Sequence, residues 1–161
     1  MRSQTLRAME AVGDARPRIE LAGADDLLTC WAIRRQVFVE GQGVPEAIDR
    51  DGLDGACTHF LAHWNQRPVG TARLRPLPGE AKAERVAVVE AVRGLGVGRL
   101  LMEALETHAA RTGFPRLVLH AQESAIDFYT RLGYEAEGER FLEADILHLA
   151  MAKRLHPRRG R

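Results

Sequence analysis

Apolar positions recur along the chain with two periods, and the period separates strands from helices. "RIEL" at 18–21 is a short strand. "DDLLTCWAIRRQVFVEGQG" sets Leu27, Trp31, Arg34 and Phe38 at helical spacing, with Asp25 and Asp26 suited to the positive end of the dipole. Gly41, Gly43 and Pro45 stop that helix, and "PEAIDRDGLDGA" follows as a polar, acidic loop. "THFLAHW" (58–64) and "VGTARLRP" (69–76) form a hairpin across "NQRP", and "ERVAVV" (84–89) is a third strand after a Pro/Gly loop. A helix from Gly98 to Arg111 gathers Leu100, Leu101, Ala104, Leu105 and His108 or Ala109 on one stripe before Gly113 and Pro115 end it. "RLVLH" (116–120) is a buried strand, "SAIDFYTRLG" (124–133) a short helix capped by Gly133, and "ILHLAMAK" (146–153) a last strand.

The resulting order is strand, helix, three strands, helix, strand, helix, strand. It predicts a mixed α/β layer fold in which the unit at 84–120 is a right-handed parallel crossover. The 161 residues fit one domain, expected at 17–155, between a flexible lead-in (1–16) and a basic tail (156–161). The chain is 45% hydrophobic and 28% charged with a net charge of +1, so nothing global directs it to nucleic acid or to a membrane. No apolar run approaches the roughly 20 residues of a spanning helix. Two cysteines, Cys30 and Cys57, make neither a disulfide framework nor a zinc pattern, and the chain reads as cytoplasmic. His59 and His63 lie about 13 Å apart if extended, too far to share a metal, so no metal is expected.

The stretch "VAVVEAVRGLGVGRLLMEAL" (86–105) carries the chemistry. A valine-rich strand runs through three glycines at alternate positions into an amphipathic helix. Helix N-terminal N–H groups lack internal partners and the dipole favours negative charge there, so the turn is an anion site, with Arg93 and Arg99 at its flanks. The dinucleotide pattern G-x-G-x-x-G fails, because its last position falls on Arg99 or Leu101. The P-loop pattern fails as well, since Gly94 plus five is Arg99.

What fits is Arg93-x-x-Gly96-x-Gly98 after Val-Ala-Val. With "AIRRQVFVEGQGVP", "PVGTARLRP", "LHAQESAIDFYTRLGY" and "ILHLAMAK", the chain resembles the GNAT superfamily of acyl-CoA N-acyltransferases, in its ElaA-like subgroup, over about 17–155. The resemblance implies a central, mostly antiparallel mixed sheet flanked by helices, and acetyl-CoA as co-substrate. It assigns the coenzyme pyrophosphate to Gly94, Leu95, Gly96, Val97, Gly98 and Arg99, with Arg93 beside it, and the pantetheine arm to Val86, Ala87 and Val88. The N–H of Val88 would polarise the thioester carbonyl. Tyr129 falls where the family places the acid that protonates the leaving thiolate, and it also reads as a packing tyrosine. Glu84 and His120 are both candidates for the base, each with a structural alternative. Ala125 stands where many relatives carry a coenzyme-contacting Asn.

Arg34, His59, Arg85 and His148 are candidate contacts to the acceptor; alternation sets Arg85 opposite Val86 and Val88, and both arginines are also suited to pairing with Asp51, Asp54 or Glu40. The reading is acetyl transfer to a primary amine of a small molecule or peptide, against the alternative of a non-catalytic acyl-CoA sensor. Edge strands in this fold often pair two chains, so a homodimer is compatible with the sequence.

Overall fold

The computed structural model describes residues 16–156, so nearly all of the lead-in and tail lies outside the described residues. The elements are β1 (Arg18–Ala22), α1 (Leu27–Arg34), α2 (Glu46–Asp49), β2 (Thr58–Trp64), β3 (Arg67–Leu77), β4 (Glu80–Val88), α3 (Val97–Arg111), β5 (Arg116–Gln122), α4 (Ile126–Arg131), β6 (Glu135–Ala136), β7 (Phe141–Glu143) and β8 (Ile146–Arg154). They build one sheet in the order β1-β2-β3-β4-β5-β8-β6, with β7 also on β8. Every pairing is antiparallel except β4 with β5.

Strand alternation divides the core between the two faces. Phe60, Ala62 and Trp64 of β2 pack with α3 residues Val97, Leu101, Met102 and Leu105. Leu61 and Ala87 turn the other way, onto Cys30, Ile33 and Val37. α1 thus covers one face and α3 the other, as a period of two in the strands requires. Burial raises the pKa of both thiols, in keeping with packed rather than reactive cysteines. No helix among the described residues is long and apolar enough to cross a membrane.

Several elements differ from the sequence reading. α1 continues as a π-helical segment over Arg35–Glu40, and its buried face is Cys30, Ile33, Arg34 and Val37. Leu27, Trp31 and Phe38 flank that face half-buried. On α3, Met102 is buried while Leu100 and Ala104 are only partly so. β4 starts at Glu80, because Ala81 and Ala83 are buried alternately with Glu80 and Lys82. A bulge in β4 sets Thr71 opposite Ala87 but Arg73 opposite Glu84, and Arg85 takes φ +55° within it. The extra residue breaks the alternation expected of Arg85 and re-aims its side chain.

Candidate active site

β4 and β5 pair only where Ala81–Ala83 face Leu117–Leu119. Beyond that seam β4 stays with β3 and β5 with β8, so the edges at 84–88 and 120–122 part. A cleft of about 950 Å³ opens at the split. Val89 donates its N–H to Val69 O at 2.9 Å, so alternation turns the N–H and C=O of Val88 away from β3 and into the gap. Arg93 Nε reaches that carbonyl at 3.1 Å.

The glycine turn closes one end of the cleft. Gly94 and Gly96 have φ of +79° and +91°, and a Cβ on either would meet nothing within 4 Å. The sign of φ, rather than crowding, calls for glycine at these two positions. Gly98 differs: its Cβ would lie 3.3 Å from Phe128 Cζ, so the third glycine lets α4 approach α3. Gly96 is the N-cap of α3, and the first N–H to close a turn is that of Leu100, onto Gly96 O at 3.1 Å. The N–H groups of Val97, Gly98 and Arg99 therefore have no intrahelical acceptor. Arg99 is exposed and paired with Glu103 at 3.1 Å. Val86, Val88, Arg93, Gly94, Gly96, Val97, Gly98 and Arg99 line the cleft. Ala87 turns onto the α1 face, and the side chain of Leu95 lies outside the wall.

Tyr129, Glu84 and His120 all line the cleft. Tyr129 is buried, edge-on to Phe128 and Tyr134. Its hydroxyl has no hydrogen-bond partner among the described residues, and burial alone pushes its pKa up to about 12. Glu84 and His120 are the first residues past the seam, one on each side of the split. Glu84 Oε1 accepts from Arg73 at 2.9 Å, while Oε2 faces Lys82 at 3.4 Å and Arg75 at 3.7 Å. His120 donates through Nδ1 to Glu143 Oε1 at 3.1 Å.

Of the four residues suggested for the acceptor, Arg85 and His148 reach the cleft and Arg34 and His59 do not. Arg34 is 1% exposed. Its Nε bonds both oxygens of Asp49 at 3.1 Å, and its other nitrogens reach Asp54 Oδ1 at 2.8 Å and Asp49 O at 2.7 Å. His59 donates through Nε2 to Asp54 O at 2.9 Å. Arg73, fully buried, joins the same cluster through Asp51 (2.9 Å) and Asp54 (3.0 Å). Trp31 Nε1 donates to Asp54 Oδ2 at 2.9 Å. For Asp54, burial would raise the pKa, but hydrogen bonds from Arg34, Trp31 and Arg73 outweigh it and hold the carboxyl well below the usual range. Arg85 contacts Asp49 Oδ1 and Asp51 Oδ2 at 3.2 Å each and the Ile48 carbonyl at 3.1 Å. The acidic loop is thus clamped by three arginines, Arg34 to α1 and Arg73 and Arg85 to the sheet, and forms a wall of the cleft through Ile48, Asp49 and Asp51. The sequence reading passed over Arg73 and Glu143. An arginine in the middle of an apolar strand, facing an acidic loop, was the available signal for the first.

The acetyltransferase (GNAT) domain family matches residues 21–155. The chain is 38% identical over 130 residues to the uncharacterised N-acetyltransferase YjcF of Bacillus subtilis, covering 80% of this chain and 93% of that protein. Its structure is similar to an acyl-CoA N-acyltransferase from Pseudomonas aeruginosa, with a TM-score of 0.73 and 30% identity over 86% of this chain and 98% of that one. It is also similar to Escherichia coli ElaA, with a TM-score of 0.72 and 31% identity over 86% of this chain and 99% of that one. A strand that leaves its neighbour beside a glycine turn at a helix N-terminus, together with these matches over nearly the whole described chain, makes this protein a member of the GNAT acetyltransferase family.

Proposed function

We propose that the protein transfers an acetyl group from acetyl-CoA to a primary amine. The observation that carries this reading is the split between β4 and β5, with the N–H and C=O of Val88 turned into it beside an anion-binding turn. An amide-bearing pantetheine arm matches such an edge as an added strand would. A pyrophosphate matches the free N–H groups of Val97, Gly98 and Arg99. In the reaction the amine nitrogen attacks the thioester carbonyl, whose oxygen takes up charge that the N–H of Val88 stabilises. Collapse breaks the C–S bond, the thiolate takes a proton from Tyr129, and the new amide nitrogen sheds its surplus proton by way of solvent to the phenolate, which restores the phenol. A buried phenol gives its proton to a thiolate only with direct contact, and the place of Tyr129 in the cleft wall, with its hydroxyl bonded to nothing among the described residues, supports that role. Glu84 and His120 flank the attacking amine as candidates for the base.

Thermal melting with acetyl-CoA, coenzyme A, ATP and NAD side by side tests the cofactor. A ligand at 100 times its dissociation constant stabilises by about 2.7 kcal/mol. Stabilisation by the two coenzyme A species and not by the nucleotides supports the reading. No stabilisation by either coenzyme A species overturns it. Thiol release from acetyl-CoA with a panel of primary amines then tests the transfer.

A further inference from the structure

The wall of the cleft across from the glycine turn is made by the end of β5 and the β7–β8 hairpin, and it contains a side chain with no role so far. Glu143 sits at the last position of β7, opposite Ile146 across a two-residue turn. Its two oxygens meet two histidines. Oε1 accepts from His120 Nδ1 at 3.1 Å, and Oε2 lies 3.7 Å from His148 Nε2. His148 Nδ1 in turn bonds the Ile146 carbonyl at 2.7 Å. Phe141 fixes both rings, edge-on to His120 at 4.9 Å and stacked with His148 at 6.0 Å.

These contacts put a proton on Nδ1 of both rings. A carboxylate and a carbonyl only accept, so Nδ1 of each histidine is the N–H. In its neutral form an imidazole has one N–H, so a neutral His120 held in this way keeps a free lone pair on Nε2. His120 stands on the first residue past the seam, where the cleft begins. The other candidate, Glu84, has its oxygens occupied by Arg73, Lys82 and Arg75. A base must offer a lone pair, and a base is best oriented by a second group on its far side.

Resting on the acetyl-transfer reading, we propose that Glu143 is the positioning residue that holds His120 as the base, with Nδ1–H tied to the carboxylate and Nε2 presented to the amine. The nitrogen–hydrogen bond of the attacking ammonium breaks as the Nε2–H bond forms. The freed nitrogen pair attacks the carbonyl, and Glu143 stays ionised beside the new imidazolium. The hydrogen bond from His120 is the chief influence holding the Glu143 carboxyl below its ordinary range, against its partial burial. The charged and titratable groups around this pair are His148 on β8 and Lys82 on β4.

Two readouts on the full chain test the proposal. The first is the histidine nitrogen spectrum by NMR, with the His120 signal assigned by its loss in His120→Gln. The expected result is a neutral His120 protonated at Nδ1 in the wild type, shifting toward the Nε2–H form in Glu143→Ala and staying in place in Glu143→Gln, whose amide oxygen still accepts. An Nε2–H form in the wild type, or no change in Glu143→Ala, overturns the proposal even if no acceptor is yet known. The second is thiol release from acetyl-CoA with the most active amine of the panel. Glu143→Ala and His120→Gln are each expected to lower kcat at least about tenfold while the KM for acetyl-CoA stays within threefold. A kcat within twofold of wild type in either variant overturns it. A wild type that fails to bind acetyl-CoA removes the underlying reading instead, a different result from a wild type that binds and turns over but ignores Glu143.

Discussion

At the scale of single residues, the glycine turn and Tyr129 line the half of the cleft proposed for the cofactor. Gly96 has left-handed φ at the N-cap of α3, and no atom lies near where its Cβ would be. Gly96→Glu therefore introduces both backbone strain and a carboxylate at the proposed pyrophosphate site. It is expected to abolish acetyl-CoA binding in a calorimetric titration, and retained affinity would remove the turn from the site. Tyr129→Phe deletes one unbonded hydroxyl and leaves the ring packed against Phe128 and Tyr134. Turnover is expected to fall by about tenfold or more with acetyl-CoA affinity within a few fold. An unchanged rate would mean that the thiolate takes its proton from elsewhere. Read from the sequence, the three glycines look alike. Only the structure separates two that set backbone sign from Gly98, which makes room for Phe128.

At the scale of elements, the strands and helices with strong apolar periods were legible, and the ones built from small or few residues were not. The first half of β4 alternates correctly, but its buried positions are Ala81 and Ala83, too small to stand out among Glu80, Lys82 and Glu84. β7 has only three residues. Its turn carries no sequence signal, because Ala144 and Asp145 take φ of +50° and +60° where glycine or asparagine marks a hairpin. Glu143 was hidden with it. Arg85 departs from its expected side for a related reason: a bulge adds one residue and reverses a side that alternation alone assigns. Ala144 is strained by its left-handed backbone, so Ala144→Gly is expected to stabilise the protein by about 0.5–1 kcal/mol, read from denaturant unfolding. A loss of stability would show that the Ala144 methyl group contributes packing that outweighs its backbone strain.

At the scale of the whole molecule, the acidic loop behaves as part of the fold. The sequence marks "PEAIDRDGLDGA" only as a polar, acidic loop, yet Asp49 and Asp54 in it are buried and paired with Arg34 or Arg73. The sequence offered the charges but not their partners, which come from α1 and β3. Asp51 shows the consequence for pH. The hydrogen bond from Arg73 is the main cause that lowers its carboxyl from an ordinary 3.8 to about 2. A group depressed on folding contributes stability that is present above the unfolded value and lost as pH falls through the folded one. Wild-type stability is therefore expected to fall between about pH 4 and pH 2, and Asp51→Asn to flatten that part of the curve in melts taken across the range. Parallel curves for the two proteins would assign the acid sensitivity to other groups.

The short seam between β4 and β5 has a mechanical meaning of its own. β1–β4 form one antiparallel plate and β5–β8 a second, and the ladder that joins them is three residues long. A ladder that short gives the sheet little resistance to bending about that line. A ligand whose amides bridge the gap would act as a brace between the plates, lengthening the joint with bonds the chain does not make itself. In the proposed cycle, loading and releasing the cofactor would then stiffen and relax the whole sheet by turns.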